Sequence, residues 1–206
     1  MRWDIKILKK FFPSVIFNAA DESIHLTFDD GPHPIATPLI LEELKGRNIQ
    51  ATFFLLGQNV QKFPDLVRQI HAEGHQIGNH SFTHTSLLFK NRTFLKDEIL
   101  RSTEILERII NSYSQYFRPP YGYFNWTILN VLRELKLNCV LWDVDSKDYR
   151  LNSVVDISRR ILPNAKNGSI ILFHDNNKTS QRVKTYLPVL LDTLVNKGFI
   201  FKTLPI

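Results

Sequence analysis

The sequence predicts an α/β fold in which seven βα units close into a distorted barrel of parallel strands, and three observations carry that prediction. Apolar runs of strand length alternate with stretches whose apolar residues recur every three or four positions, the pattern of strands and their covering helices. The runs are continuously rich in Ile, Val, Leu and Phe, as strands covered on both faces should be. At 206 residues the chain is shorter than the ~250 typical of eight such units, so seven shorter ones fit it better. An open doubly wound sheet satisfies the same alternation, although no glycine-rich phosphate loop is present to support nucleotide binding.

The strand-length runs are, in order, residues 23–28, 51–57, 76–79, 116–118, 138–144, 169–173 and 199–204. The third and fourth are the shortest. Between them lie helical patterns at 38–46, 64–73, 93–110, 126–136, 154–162 and 181–198. Pro38 and Pro64 stand in first-turn positions, where a missing N–H costs nothing, and Gly46, Gly74 and Gly198 stand at helix ends.

A composition of 43% hydrophobic and 22% charged residues suits one sizeable core. The chain therefore reads as one main domain, 23–206, preceded by an N-terminal cap or peripheral segment, 1–22. In that segment Arg2, Lys6, Lys9 and Lys10 precede an apolar stretch at 11–17, and Asn18-Ala19-Ala20 resembles a weak cleavage site. Pro13 and the brevity of the stretch argue against a signal peptide, and it is too short to span a membrane. A cap is favoured over an anchor, with peripheral membrane contact left open. The expected location is cytoplasmic or peripheral to the membrane, an exported form remaining an alternative. The formal charge of +6 favours anionic surroundings, but the basic residues are dispersed and no nucleic-acid module is visible, so no nucleic-acid partner is expected. Cys139, the single cysteine, excludes an intramolecular disulfide and reads as a small buried hydrophobe. Oligomeric state is not legible.

Five polar groups fall at or just past the carboxyl ends of these runs: Thr27-Phe28-Asp29-Asp30-Gly31-Pro32, His80-Ser81-Phe82-Thr83-His84, Arg118-Pro119-Pro120-Tyr121-Gly122, Asp145-Ser146-Lys147-Asp148-Tyr149 and Leu172-Phe173-His174-Asp175. In a parallel βα architecture those ends converge on one face, where active sites lie. Taken singly, each has a plainer explanation: Asp-Gly-Pro is good turn chemistry, Pro119-Pro120 a rigid bend, His174 a satisfied core histidine. Together they hold more. Two adjacent carboxylates repel each other unless a cation or donors compensate them. His80 and His84, four apart, share a face if the backbone turns helically there. Two His plus a carboxylate form a three-ligand set suited to zinc. No Gly-x-Ser-x-Gly elbow points to a serine hydrolase.

These five groups, in this order, resemble the motifs of the polysaccharide deacetylase family, the NodB-homology domain of carbohydrate esterase family four. Ala51-Thr52-Phe53-Phe54 and Gly74-His75-Gln76-Ile77-Gly78-Asn79-His80 are similar to the family as well, and the likeness runs from about Ser23 to Leu204. The resemblance implies a distorted (β/α)7 barrel and a metal-dependent hydrolase that removes N-acetyl groups from N-acetylglucosamine-containing polysaccharide, either peptidoglycan or chitin-like oligomers. It implies one divalent ion, zinc first with cobalt or nickel as substitutes, held by Asp30, His80 and His84. Asp29 corresponds to the base that activates the attacking water and Arg118 to the residue that orients it. The Tyr121 N–H corresponds to the oxyanion donor, and His174, braced by Asp145, to the general acid. Family members commonly carry Pro after the second metal His and Trp at the end of the fourth motif; here Thr85 and Tyr149 stand in those places, and Tyr149 would line the substrate cleft beside Tyr121. Trp126, Tyr123 and Phe124 are further candidates for stacking on sugar rings, with helix packing the simpler role for Trp126. Two alternatives stay open: a deformylase or deacetylase of a lipid-linked amino sugar, and a catalytically silent sugar-binding module.

Overall fold

A computed structural model describes residues 5–112 and 114–205; Arg2 lies outside them. The organising strand is β2 (Ser23–Asp29), buried along its whole length. It pairs in parallel with β3 (Thr52–Leu55) on one side and β8 (Ile170–His174) on the other. The side chains of β2 alternate as the pleat requires. Ile24, Leu26 and Phe28 pack outward, joining Ile40 and Leu44 of α2 (Ala36–Lys45) and Leu187, Leu190 and Leu194 of α8 (Val183–Asn196). The Phe28 ring is stacked between those of Phe53 and Phe173, with centroids 5.1 and 5.6 Å away. His25, Thr27 and Asp29 point the other way, into the barrel.

From β3 the sheet continues through β4 (Gln76–Asn79) and β5 (Tyr116–Phe117) to β6 (Asn138–Val140), with every ladder parallel. The run expected as one strand at 138–144 is two. β6 pairs with β5, whereas β7 (Val144–Asp145) pairs with β8, so this stretch bridges the two edges of the sheet and closes the barrel. Side chains supply what the ladder lacks at the break. Arg118 donates through Nε to the Val140 carbonyl (3.2 Å) and through Nη2 to that of Leu141 (2.9 Å), and the Asp143 carboxylate accepts the Ile170 N–H (2.8 Å) and the Ser169 hydroxyl (3.0 Å). Satisfying buried backbone groups in this way makes a strand interruption tolerable. The barrel is thus the expected distorted (β/α)7 form, lined near the break by Phe54, Tyr116, Val140, Ile170 and Leu204. The last run is the short β9 (Ile200–Phe201), paired with the start of β2. Just beyond it, His25 lies 3.1 and 3.0 Å from the Lys202 and Thr203 carbonyls and pins the C-terminal segment to β2.

α4 (Pro64–Ala72), α5 (Arg92–Ile110), α6 (Trp126–Glu134) and α7 (Val154–Ile161) fall where the periodicity places them. The side chains of Asn91, Asn125 and Ser153 accept the Phe94, Ile128 and Asp156 N–H groups and so start α5, α6 and α7. Three elements were not anticipated: α1 (Ile5–Phe11), β1 (Val15–Ile16) and α3 (Gly57–Lys62). β1 adds to the sheet beside β6, Val15 and Phe17 are buried, and Phe12 packs 4.9 Å from both Phe124 and Trp126. Among the described residues no helix is long and apolar enough to cross a membrane.

Candidate active site

Asp29 ends β2, and Asp30 follows with a left-handed backbone (φ 79°). Arg118, fully buried just past β5, donates from Nη1 to Asp29 Oδ1 (2.7 Å) and to the Thr27 hydroxyl (2.8 Å), and its guanidinium lies 4.0 Å from the centroid of the Phe54 ring. Together with the two carbonyls at the strand break, these contacts leave the cation one orientation. Asp29 Oδ2 accepts no hydrogen bond among the described residues and faces His80, with Nε2 3.7 Å away.

Asp30 Oδ2 accepts from Asn176 Nδ2 (2.7 Å), whereas its Oδ1 is buried without a hydrogen-bond partner. That bare oxygen lies 3.5 Å from His80 Nε2 and 3.2 Å from His84 Nε2. His80 Nδ1 donates to the Arg118 carbonyl (2.6 Å). A carbonyl only accepts, so the ring proton sits on Nδ1 and Nε2 turns its lone pair inward. Ligand atoms of Asp30, His80 and His84 all lie within 4.8 Å of one another. An orphaned carboxylate oxygen, a histidine fixed in its ligating tautomer and a second imidazole converging on one point fit a divalent cation. Burial would raise the Asp30 carboxyl, but when His80 is protonated its contact and charge, with the charges of His174 and His84, hold it well below the usual range. Burial, aided by His80, depresses His84 against the pull of Asp30 and Asp29 and so favours the neutral ring that a metal needs.

The spacing of His80 and His84 is not realised as a helical turn. Ser81 (φ 70°) and His84 (φ 64°) are left-handed, and of the intervening N–H groups that of Ser81 bonds to Asn79 Oδ1 and those of Phe82 and Thr83 to a side chain of α5, instead of to the loop's own carbonyls. The rings still meet, with centroids 5.2 Å apart.

On the neighbouring strand, His174 ends β8 in register with Asp29 and donates from Nδ1 to Asp148 Oδ1 (2.8 Å). The fully buried Asp148 also accepts the His174 N–H (2.8 Å) and the Tyr186 hydroxyl (3.0 Å) on Oδ2. This corrects the expected brace, Asp145, whose carboxylate takes the Lys147 ammonium (2.6 Å) and the Lys147 N–H (2.9 Å). Register is the reason. Asp145 lies opposite Leu172, two residues short of His174, and only after the left-handed turn at Lys147 (φ 56°) does the chain deliver a carboxylate to the imidazole. Burial would lower His174, but the charge and hydrogen bond of Asp148, then the charges of Asp30 and Asp29, push it up to about 9.

Residues 18–140 match the family model described as polysaccharide deacetylase. The chain belongs to the polysaccharide deacetylase family. A peptidoglycan-N-acetylglucosamine deacetylase of Bacillus cereus is 39% identical over 190 residues, covering 92% of this chain and 68% of that protein. A chitooligosaccharide deacetylase of Azorhizobium caulinodans is 40% identical over 154 residues, covering 74% and 73%. Among solved structures, the Bc1960 peptidoglycan N-acetylglucosamine deacetylase superposes with a TM-score of 0.89 at 37% identity, covering 93% of this chain and 91% of that one. The enzyme is accordingly a polysaccharide N-deacetylase, a hydrolase, and its fold is the family's distorted barrel.

Tyr121 of this deacetylase also has a left-handed backbone (φ 62°), within the 3-10 turn Pro120–Gly122. Gly122 and Tyr123 donate their N–H groups to the Pro119 and Pro120 carbonyls, while the Tyr121 N–H has no acceptor among the described residues. Its ring is 56% exposed, packs edgewise on His84 (4.6 Å) and neighbours Tyr123 (5.9 Å). Tyr149 packs edgewise on His174 (4.7 Å), and its hydroxyl accepts from Lys147 (3.2 Å). Thr85 bonds to the Thr83 hydroxyl (2.8 Å). Sequence reasoning missed Asn176, two residues past His174, and Glu98, a lone acid on the buried face of α5 with Leu95, Ile99, Ser102 and Leu106. That misplaced charge was the available signal.

Proposed function

We propose that this deacetylase removes acetyl groups from N-acetylglucosamine units of peptidoglycan glycan strands, with Asp29 as base and His174 as acid on either side of a metal held by Asp30, His80 and His84. The observation that carries the reading is the bare Asp30 oxygen between two imidazoles, flanked by a carboxylate with one free oxygen and by an imidazolium. A divalent cation there, zinc by its donor set with cobalt or nickel as substitutes, supplies Lewis acidity that polarises the amide carbonyl and acidifies water. Asp29, its Oδ1 held by Arg118, offers Oδ2 to take the proton of the attacking water as the new C–O bond forms. The unpartnered Tyr121 N–H meets the oxygen that becomes negative. His174, protonated at neutral pH because of Asp148, gives its Nε2 proton to the amide nitrogen as the C–N bond breaks. Acetate and a free glucosamine amine are the products. Tyr149 and Tyr121 border the cleft where the sugar ring would sit. Support for peptidoglycan comes from relatives named for it that cover nearly the whole chain; the chitooligosaccharide relative makes chitin-like oligomers the second reading.

The test offers metal-loaded protein peptidoglycan glycan strands, chitooligosaccharides and a lipid-linked formylated amino sugar, and follows products by mass spectrometry. Acetate should be released from the glycan strands, cease on chelation and return with added zinc. Formate release alone, or undiminished turnover by metal-free protein, would reject the proposal.

A further inference from the structure

The three residues assigned to the cation are anchored very differently. Asp30 is held through Oδ2 by Asn176, and His80 by its N–H to the Leu55 carbonyl (3.0 Å) and its Nδ1 to the Arg118 carbonyl (2.6 Å). His84 sits on a loop whose first five residues, 80–84, include two left-handed non-glycine ones, Ser81 and His84 itself. Such backbones persist only where the surroundings over-determine them. Asn79 at the end of β4 accepts the Ser81 N–H (2.8 Å), and two further elements grip this loop. The first N–H groups of α3, those of Gly57 and Gln58, donate to the Ser81 and Phe82 carbonyls (3.0 and 3.1 Å). From α5, Glu98 Oε2 accepts the Phe82 N–H (3.2 Å), the Thr83 N–H (2.9 Å) and the Thr83 hydroxyl (3.0 Å), the last shared with Oε1.

Glu98 is only 3% exposed and forms no ion pair with a basic side chain among the described residues; Arg101, the nearest cation on its helix to this loop, lies over the Phe82 ring instead, 3.9 Å from its centroid. Burying an acid without a cation is costly unless its oxygens are fully used, and here the loop that carries His84 uses them. We propose that Glu98 is the positioning residue that sets His84, and through it the affinity of the Asp30–His80–His84 site for its cation. This rests on the metal assignment of those three residues. The Thr83 hydroxyl extends the grip past His84 to Thr85 (2.8 Å), so both neighbours of the ligand are tied to one carboxylate. A loop freed from Glu98 would keep His80 and Asp30 in place and let the third ligand wander.

The experiment measures zinc dissociation constants by chelator competition on the full chain, together with the visible spectrum of the cobalt-loaded protein, for wild type, Glu98→Ala, Glu98→Gln and Ser102→Ala. Ser102 shares the buried face of α5 and its hydroxyl has no hydrogen-bond partner among the described residues, so Ser102→Ala controls for packing. Glu98→Ala should weaken zinc binding by ~10–100-fold, the usual cost of losing an outer support of a metal ligand, and should alter the cobalt spectrum. Glu98→Gln, which keeps one carbonyl acceptor, should fall between, and Ser102→Ala should match wild type. A Glu98→Ala protein with wild-type affinity and spectrum would overturn the proposal; if that variant does not fold, a Glu98→Gln protein indistinguishable from wild type would do so. Wild-type protein that binds no zinc at all would instead overturn the metal assignment.

Discussion

Two charge pairs stand side by side at the ends of β2 and β8, where Asp29 lies in register with His174: Arg118–Asp29 and His174–Asp148, and they are built on different principles. The first joins residues at the ends of strands. Both are buried, and the guanidinium also ties together the barrel wall where β6 gives way to β7. The second joins the end of a strand to a loop beyond a left-handed turn. A pair fixed by strand ends can be read from sequence, because in a parallel barrel those ends must converge. A pair fixed by a loop cannot, because the turn decides which carboxylate arrives: Asp145 and Asp148 are three residues apart, and only Asp148 reaches the imidazole.

The sharpest way to break the first pair is Arg118→Met. It leaves Asp29 buried without its cation and two carbonyls at the strand break without donors. Breaking a buried pair from one side costs roughly 3–5 kcal/mol, so chemical denaturation should show a loss of that size together with collapse of turnover. A variant of near-normal stability would mean that the barrel break is held by something else.

The second pair responds more gently and through pH. His174, raised to about 9, is a proton donor below that value and ceases to be one as pH climbs through it, so kcat/KM should fall on an alkaline limb. A cation beside Asp30 offsets the pull of Asp30 and Asp29, placing the limb of the loaded enzyme below about 9, while the share due to Asp148 remains. Asp148→Asn should therefore move the alkaline limb to lower pH and slow turnover, whereas Asp145→Asn should leave the limb in place. The linked stability has the same sign: a raised histidine adds stability that is complete below its ordinary 6.5 and is lost as pH rises through about 9. Profiles in which Asp145→Asn moves the limb and Asp148→Asn does not would reinstate the sequence-based pairing.

What the sequence reveals follows the same division. Periodicity located α2 and α4 through α8 because each buries one apolar stripe against the sheet, and apolar runs located the strands that lie between covering layers. The two-residue β1 left no periodic trace, and the split at 141–143 was invisible because Leu141 and Trp142 are as apolar as the strands beside them. In the site, Asp30, His80 and His84 do lie together, yet the helical turn imagined for the two histidines is a left-handed loop. The loop that brings the rings together is held by contacts the spacing does not announce, among them Glu98, fifteen residues or so further on and on another element, which binds the Phe82 and Thr83 N–H groups. Asn176 was unreadable for a related reason, since its contact with Asp30 spans 146 positions of sequence.

The central claim is that two adjacent carboxylates do different work, Asp30 holding the cation and Asp29 moving the proton. Asp29→Asn tests it most directly, with zinc content and acetate release measured on the same preparation. Asparagine keeps the volume and can still accept from Arg118, but it cannot take a proton from water. Full zinc occupancy is expected, with turnover reduced by ~100-fold or more. A folded Asp29→Asn protein that has lost its zinc, or one that holds zinc and still releases acetate at the wild-type rate, would contradict it.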